Sequence, residues 1–190
     1  MIKQEINEKL WVSPSTNSKL RILKSTSQTS GESLLIEFEN QANDIAPPYH
    51  YHPSREEIFT VLEGRLALKV DGKEFELGAG ESATAHKGTA HTFWNPTSEV
   101  VRFTSEHRPA QDFETFITSL YDLDYDGKSN KNGSPNILQL MSLFKVRMGE
   151  QFLAASPSWL QRIATRILGT IGILLGNPTT YISKKHKKKS

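Results

Sequence analysis

The fifteen residues that begin at His50 constrain the fold and the chemistry of this 190-residue chain more than any other stretch. His50 and His52 are two positions apart, so in an extended strand both imidazoles leave from the same face. Glu57 begins a β-rich run in which Phe59 and Val61 share its face, and its carboxylate therefore points toward the expected core. Two imidazoles and a carboxylate on one side of a sheet are typical of half of a divalent-metal site.

A second histidine-containing stretch lies between residues 80 and 95, and the two stretches together resemble the two sequence motifs of the cupin superfamily. The first motif, G(X)5HXH(X)3-4E(X)6G, is matched at His50, His52, Glu57 and Gly64. The second motif, G(X)5PXG(X)2H(X)3N, is matched at Gly80, Gly88, His91 and Asn95. Two positions depart from the pattern, since Asp44 replaces the first glycine and His86 replaces the proline, and neither is a ligand position.

The resemblance implies a mainly β fold, the double-stranded β-helix or jelly-roll barrel of a single-domain cupin, over roughly residues 30 to 108. It further implies that one divalent transition metal ion is held by His50, His52, Glu57 and His91. The ligand types leave its identity open among Fe, Mn, Ni, Co, Cu and Zn. Four protein ligands leave coordination positions open for water, substrate or dioxygen. Glu57 is expected both to bind the metal and to act as the catalytic residue that accepts a proton from the substrate.

The spacing of apolar residues predicts strands first and helices afterwards. Short apolar runs predict the barrel strands, and Asp71-Gly72 between two of them predicts a tight hairpin. After Pro109 the spacing is helical, and three helices are predicted to begin near Asp112, Ser134 and Ser156. The predicted organisation is a cupin barrel domain over residues 1–108 and a helical extension over 109–183, packed on the barrel or at a dimer interface. A basic disordered tail follows over 184–190.

Composition and charge exclude several functional classes. The sequence has no cysteine, so disulfides and thiolate metal ligands are absent. The net charge of +2 includes five lysines in the last seven residues, so the remainder carries +2 − 5 = −3. A body of that charge gives no reason to expect nucleic-acid binding. Residues 1–6 lack the apolar core of a signal peptide, and a cytoplasmic protein is expected.

The apolar inner face that Phe59, Val61 and Phe93 would form favours a hydrophobic or aromatic small-molecule substrate. The predicted reaction is an oxygen-dependent oxidation or ring cleavage, similar to the quercetin dioxygenase-like branch of the cupins. The alternatives are a metal-dependent isomerase or epimerase, which does not consume oxygen, and a non-catalytic ligand-binding or sensing cupin. His86 is a candidate for supporting a metal ligand or carrying a proton, although its turn position favours a structural role.

The third predicted helix carries an apolar stripe formed by Trp159, Leu160, Ile163, Ile167, Ile171 and Leu174. The apolar run is about half as long as a membrane span. Packing of the stripe against the barrel or a second subunit is therefore expected, and a homodimer is predicted. The alternative is a helix that lies on a membrane surface beside the polybasic tail.

Overall fold

The computed structural model describes residues 9–42, 44 and 46–187, so the N-terminal segment assessed for a signal peptide lies outside the described residues. The strands are β1 (Leu10–Val12), β2 (Lys19–Lys24), β3 (Leu34–Asn40), β4 (His50–Tyr51), β5 (Glu56–Glu63), β6 (Arg65–Val70), β7 (Lys73–Gly78), β8 (Ser82–Ala85), β9 (His91–Trp94), β10 (Val101–Arg108) and β11 (Phe152–Leu153). The helices are α1 (Phe113–Tyr125), α2 (Ile137–Lys145), α3 (Ser158–Leu174) and α4 (Lys184–Lys187).

Two antiparallel sheets enclose the core. One has the strand order β1-β2-β3-β10-β5-β8 and the other the order β11-β4-β9-β6-β7. Glu57, Phe59 and Val61 of β5 are buried, because alternate side chains of a strand leave from the same face. Phe59 and Val61 of β5 thereby meet Leu66 and Leu68 of β6, from the other sheet, in one apolar core. The predicted jelly-roll barrel with a C-terminal helical extension is confirmed.

Two turns of the barrel depend on backbone conformations with positive φ. The predicted hairpin at Asp71-Gly72 is confirmed, since β6 and β7 pair on either side of it. Asp71 has φ 50° and Gly72 has φ 77°, the pair of positive values that a type I′ turn requires. Gly64, a glycine of the first motif, has φ 82° between β5 and β6. A Cβ at Gly64 would lie 2.9 Å from the carbonyl oxygen of Val100, so this turn excludes a side chain.

The three predicted helices are present, but the second begins later than the sequence indicates. Asn136, rather than Ser134, caps α2, and its side chain accepts a hydrogen bond from the backbone N–H of Gln139 at 3.0 Å. Pro135 instead forms an isolated β-bridge with Ser129. The Ser134-Pro135 signal therefore belongs to the loop, because a capping residue two positions further along competes for the free N–H groups of the first turn.

A short strand that the sequence does not predict lies between α2 and α3. Phe152 and Leu153 form β11, which pairs with Tyr51 and His50 of β4. Two residues are too few to show a periodic pattern, which is why sequence analysis misses the strand. Through β11, the helical extension supplies an edge strand to the sheet that carries His50.

Helix α3 packs on α2 through its small residues and leaves its apolar stripe outside. A Cβ added to Gly169 would lie 2.6 Å from the carbonyl oxygen of Met141, so the two helices approach closely there. The predicted apolar stripe is on the opposite side, where Ile167 is 55% and Leu174 is 80% exposed. The barrel does not cover this stripe, so that part of the expectation is wrong. Among the helices of the described residues, none combines the length and apolarity that a membrane crossing needs.

The predicted disorder of residues 184–190 is corrected for its first half, because Lys184–Lys187 form α4. His186 holds this helix on α1, with its Nδ1 2.5 Å from Oδ1 of Asp122. The backbone N–H of Ser183 donates to the other oxygen of Asp122 at 3.0 Å, and the ammonium of Lys185 lies 4.2 Å from the ring centre of Tyr125. Residues 188–190 lie outside the described part of the chain.

Candidate metal centre

The four side chains that the cupin resemblance selects converge inside the barrel. His50 lies on β4, His52 follows directly after it, Glu57 lies on β5 and His91 on β9. All four are buried, and a ligand atom from each lies within 4.8 Å of those of the others. One ion can reach atoms at this spacing, because metal–nitrogen and metal–oxygen bonds are about 2.0–2.2 Å long.

Strand pairing explains the convergence. His50 and His91 stand opposite each other in the β4–β9 pair, and their ring centroids are 4.5 Å apart. Glu57 comes from the other sheet, where Ala85 and His107 are its neighbours on the flanking strands. The cluster therefore includes residues from both sheets, and it is assembled by the closure of the barrel.

Backbone carbonyls orient two of the imidazoles for ligation. Nδ1 of His50 lies 2.7 Å from the carbonyl oxygen of Pro48, and Nδ1 of His91 lies 3.0 Å from that of Thr89. Because a carbonyl oxygen only accepts, Nδ1 carries the proton in both rings, and Nε2 is directed at the cluster. Metal-bound histidines are commonly oriented by such a hydrogen bond from the other ring nitrogen.

Burial and close charges set the protonation of the cluster. Burial and the imidazoles of His91 and His52 lower the pKa of His50 to about 3, so this ring is neutral. Burial raises the pKa of Glu57, but His107 and the hydrogen bonds with His52 and His91 outweigh it, and the pKa lies well below its usual range. Neutral imidazoles and an ionised carboxylate are the forms in which these side chains bind divalent metals. The residues present fit a transition metal ion.

The pKa of His91 shifts in the opposite direction to that of His50. Burial lowers it, yet the hydrogen bond and the negative charge of Glu57 raise it above its usual value. Nε2 of His91 is 3.1 Å from Oε2 of Glu57, and the carboxylate favours a positive charge next to it. The pair therefore accommodates a shared cation, either a proton or a metal ion.

Ser105 and His107 of β10, which sequence reasoning did not select, support Glu57. Oγ of Ser105 donates to Oε1 of Glu57 at 2.7 Å, and Nε2 of His107 lies 2.9 Å from the same hydroxyl. Burial lowers the pKa of His107 to about 3, so the neutral ring donates to Ser105 through Nε2. The signal that would have found both residues is the alternation of Val101, Phe103, Ser105 and His107 on the inward face of β10.

Arg55 and the helical extension support His52. Nη2 of Arg55 lies 2.9 Å from Nδ1 of His52, and the carbonyl oxygen of Glu150 lies 3.1 Å from the same nitrogen. The Arg55 side chain is 1% exposed, with Nη1 3.7 Å from the Glu150 carboxylate and its guanidinium 4.5 Å from the ring centre of Phe113. Burial lowers the pKa of Arg55, although a guanidinium stays charged at neutral pH. The extension thus contacts a candidate ligand 98 positions away in the sequence.

A cavity of about 650 Å³ lies between the barrel and the helices and reaches the cluster. Its lining includes His50 and Glu57, and the hydroxyls of Ser18 and Tyr121, 3.3 Å apart, provide a polar spot. The rest of the lining is mainly apolar and includes Phe38, Phe93, Phe113, Phe116, Leu140 and Phe144. A chamber of this size and lining suits an apolar small molecule that carries few polar groups.

His86, Arg65 and Arg102 lie away from the cluster. His86 is exposed, with its Nδ1 3.7 Å from the carboxylate of Glu56, which agrees with a turn position. Arg65 forms a surface ion pair with Glu76 at 3.1 Å. Arg102 likewise forms ion pairs on the surface of the barrel.

The comparison with protein families agrees with the fold and the cluster. Residues 36–105 match the family model of the cupin domain. This segment contains every strand from β4 to β9 and all four residues of the candidate metal cluster. This segment of the chain is therefore similar to the cupin domain.

Two curated proteins are similar to parts of the chain. The HTH-type transcriptional regulator PuuR of Escherichia coli (strain K12) is 41% identical over 54 residues, which cover 28% of this chain and 29% of PuuR. A protein of Arthrobotrys oligospora named as an oxidoreductase is 24% identical over 121 residues, which cover 60% of this chain and 46% of that protein. The chain spans less than half the length of either relative.

Two solved structures align with part of the chain. KdgF from Halomonas sp. aligns with a TM-score of 0.48 and 17% identity, over 60% of this chain and 94% of that chain. The Cupin_2 domain of an XRE family transcriptional regulator from Enterobacter cloacae aligns with a TM-score of 0.42 and 17% identity, over 48% of this chain and 95% of that one.

Proposed function

We propose that this protein is a metal-dependent oxidoreductase that oxidises an apolar or aromatic small molecule with dioxygen. The observation that carries the proposal is the mainly apolar chamber of about 650 Å³ whose lining includes His50 and Glu57 of the candidate cluster. A substrate held there by its apolar surface would lie beside the cluster. The 24% identity with a fungal protein named as an oxidoreductase, over 60% of this chain, supports the same class.

His50, His52, His91 and Glu57 would hold the ion. A bound transition metal ion supplies Lewis acidity and redox chemistry at its open coordination positions. The aromatic rings of Phe93, Phe113 and Phe116 line the chamber, so they exclude water and orient an apolar substrate toward the cluster.

Glu57 is the residue that we assign to proton transfer. Its carboxylate is ionised at neutral pH, because its pKa lies well below the usual range, and it lines the chamber. Oε1 accepts the hydrogen bond of Ser105, which fixes the carboxylate in one orientation. The carboxylate accepts a proton that the substrate loses, as a positioned general base does.

A second candidate function is ligand sensing without catalysis, which the 41% identity with the regulator PuuR over 54 residues favours. In that case the chamber would bind the same class of compound. Helices α1 and α2 form part of the chamber wall and would signal whether a ligand is bound. The isomerase alternative is less favoured, because chemistry on a polar carbonyl substrate calls for a polar chamber.

Oxygen uptake by the metal-loaded protein tests the proposal. A panel of apolar aromatic compounds is added, and at least one compound is expected to stimulate oxygen consumption. Glu57→Gln is expected to lower the rate per bound metal ion by about 100-fold, because the amide cannot accept the proton. Glu56→Gln is the matched control, since Glu56 precedes Glu57 on β5 and its partner is the exposed His86.

Two results would contradict the proposal. Full activity of Glu57→Gln with full metal content would remove the role assigned to this carboxylate. Binding of the aromatic compounds without any oxygen consumption would instead support the sensing function.

A further inference from the structure

The outer face of α3 has no partner within the described residues. Its apolar side chains, namely Trp159, Leu160, Ile163, Ile167, Ile171 and Leu174, are between 42% and 80% exposed. The small residues Gly169 and Gly172 lie on the opposite face, against α2. With 17 residues, α3 is about 25 Å long. Single exposed apolar residues are ordinary on a protein surface, but a continuous stripe of this length marks an interaction surface.

The two charged residues of α3, Arg162 and Arg166, are both positive. Arg166 lies at the middle of α3 and is exposed, and Arg162 lies one turn earlier over the ring of Phe152. Between residues 156 and 190 the sequence contains two arginines and five lysines but no aspartate or glutamate. An apolar face next to a cationic one is the pattern of helices that lie in the interface of an anionic membrane.

A second copy of the chain is a poorer occupant of this face than a lipid surface. In a two-fold symmetric pair each surface meets itself. If the two α3 helices pair antiparallel about their middles, Arg166 lies beside Arg166 of the other copy, and α3 contains no acidic residue that could balance the two charges. An anionic bilayer supplies the opposite charge and also accepts apolar side chains.

We propose that α3 binds to the surface of an anionic membrane. The helix lies in the plane of the surface, with its apolar stripe among the lipid headgroups and the upper acyl chains. Arg166 lies near the lipid phosphates. Trp159 is 63% exposed at the first turn of α3, and tryptophan is enriched at the membrane interface. The proposal does not depend on the function of the metal cluster.

Vesicle sedimentation with the full chain tests this. The protein is expected to sediment with vesicles made of equal parts phosphatidylcholine and phosphatidylglycerol, and not with phosphatidylcholine alone. Ile167→Asn is expected to weaken binding by roughly tenfold, because it removes an apolar side chain from the centre of the stripe. Leu62→Asn is the matched control, because Leu62 is 43% exposed on β5, away from α3. This variant should bind the vesicles as strongly as the wild type does.

Charge and fluorescence give two further readouts. Arg166→Gln should weaken binding severalfold at low salt and should reduce its salt dependence. The blue shift of tryptophan emission on vesicle binding should disappear in Trp159→Phe.

Absence of sedimentation with the anionic vesicles, or equal weakening by Leu62→Asn, would overturn the proposal. A dimer in light scattering that Ile167→Asn converts to a monomer would also overturn it, in favour of a second copy.

Discussion

Arg55→Ala is expected to lower the free energy of unfolding by about 3 kcal/mol or more, because it breaks a buried charge network. The Arg55 side chain is 1% exposed and lies between His52, the Glu150 carboxylate and the ring of Phe113. Its removal leaves a partly buried carboxylate without its charged partner and opens a cavity against an aromatic ring. Urea unfolding followed by circular dichroism measures the loss.

Arg65→Ala is the matched control for this prediction. Arg65 also pairs with a carboxylate, that of Glu76 at 3.1 Å, but its side chain is 66% exposed. Exposed ion pairs contribute about 1 kcal/mol at most, so this variant should unfold almost as the wild type does. Equal losses in the two variants would show that burial of Arg55 contributes little to the stability of the fold.

Gly172→Ala is expected to destabilise the protein even though alanine is the better helix former. A Cβ at this position would collide with Oγ of Ser142 and lie 2.5 Å from the carbonyl oxygen of Leu138. Helix propensity alone would stabilise the protein by about 1 kcal/mol, whereas forcing apart two packed helices costs about 1–3 kcal/mol or more. Because a backbone carbonyl cannot rotate away, we expect a net loss and a melting temperature lower by roughly 5 °C.

Ala164→Gly measures how much helix propensity contributes to stability in the same helix. This change should cost about 1 kcal/mol, with no steric contribution. A melting temperature of Gly172→Ala above that of the wild type would contradict the close packing of α3 on α2.

The candidate site was predictable from the sequence where ligand types and spacing are local. His50, His52 and Glu57 lie within eight residues, and the second motif added His91. The core positions Phe59 and Val61 followed from strand alternation, and the turn at Asp71-Gly72 followed from its two residues. These features depend on neighbours in the sequence, which is why the sequence is sufficient to predict them.

The parts that sequence analysis missed depend on contacts between distant segments. Ser105 and His107 contact Glu57 only after β10 pairs with β5. In the sequence Arg55 looks like an ordinary charged residue, because its contacts with the Glu150 carboxylate and the ring of Phe113 come from the distant extension. The sequence also did not predict that the apolar stripe of α3 faces outward. The glycines of α3 pack against α2 more closely than large side chains would permit, so the stripe lies on the other side of the helix.

The metal content of the protein purified without chelator and without a metal-binding tag tests the central claim most directly. The account predicts about one equivalent of Fe, Mn, Ni, Co, Cu or Zn per chain by elemental analysis. This metal should be lost in His52→Ala and retained in His86→Ala, because His52 is in the buried cluster and His86 is exposed outside it. Wild-type protein that takes up no transition metal, or a His52→Ala variant that keeps the full amount, would contradict the account.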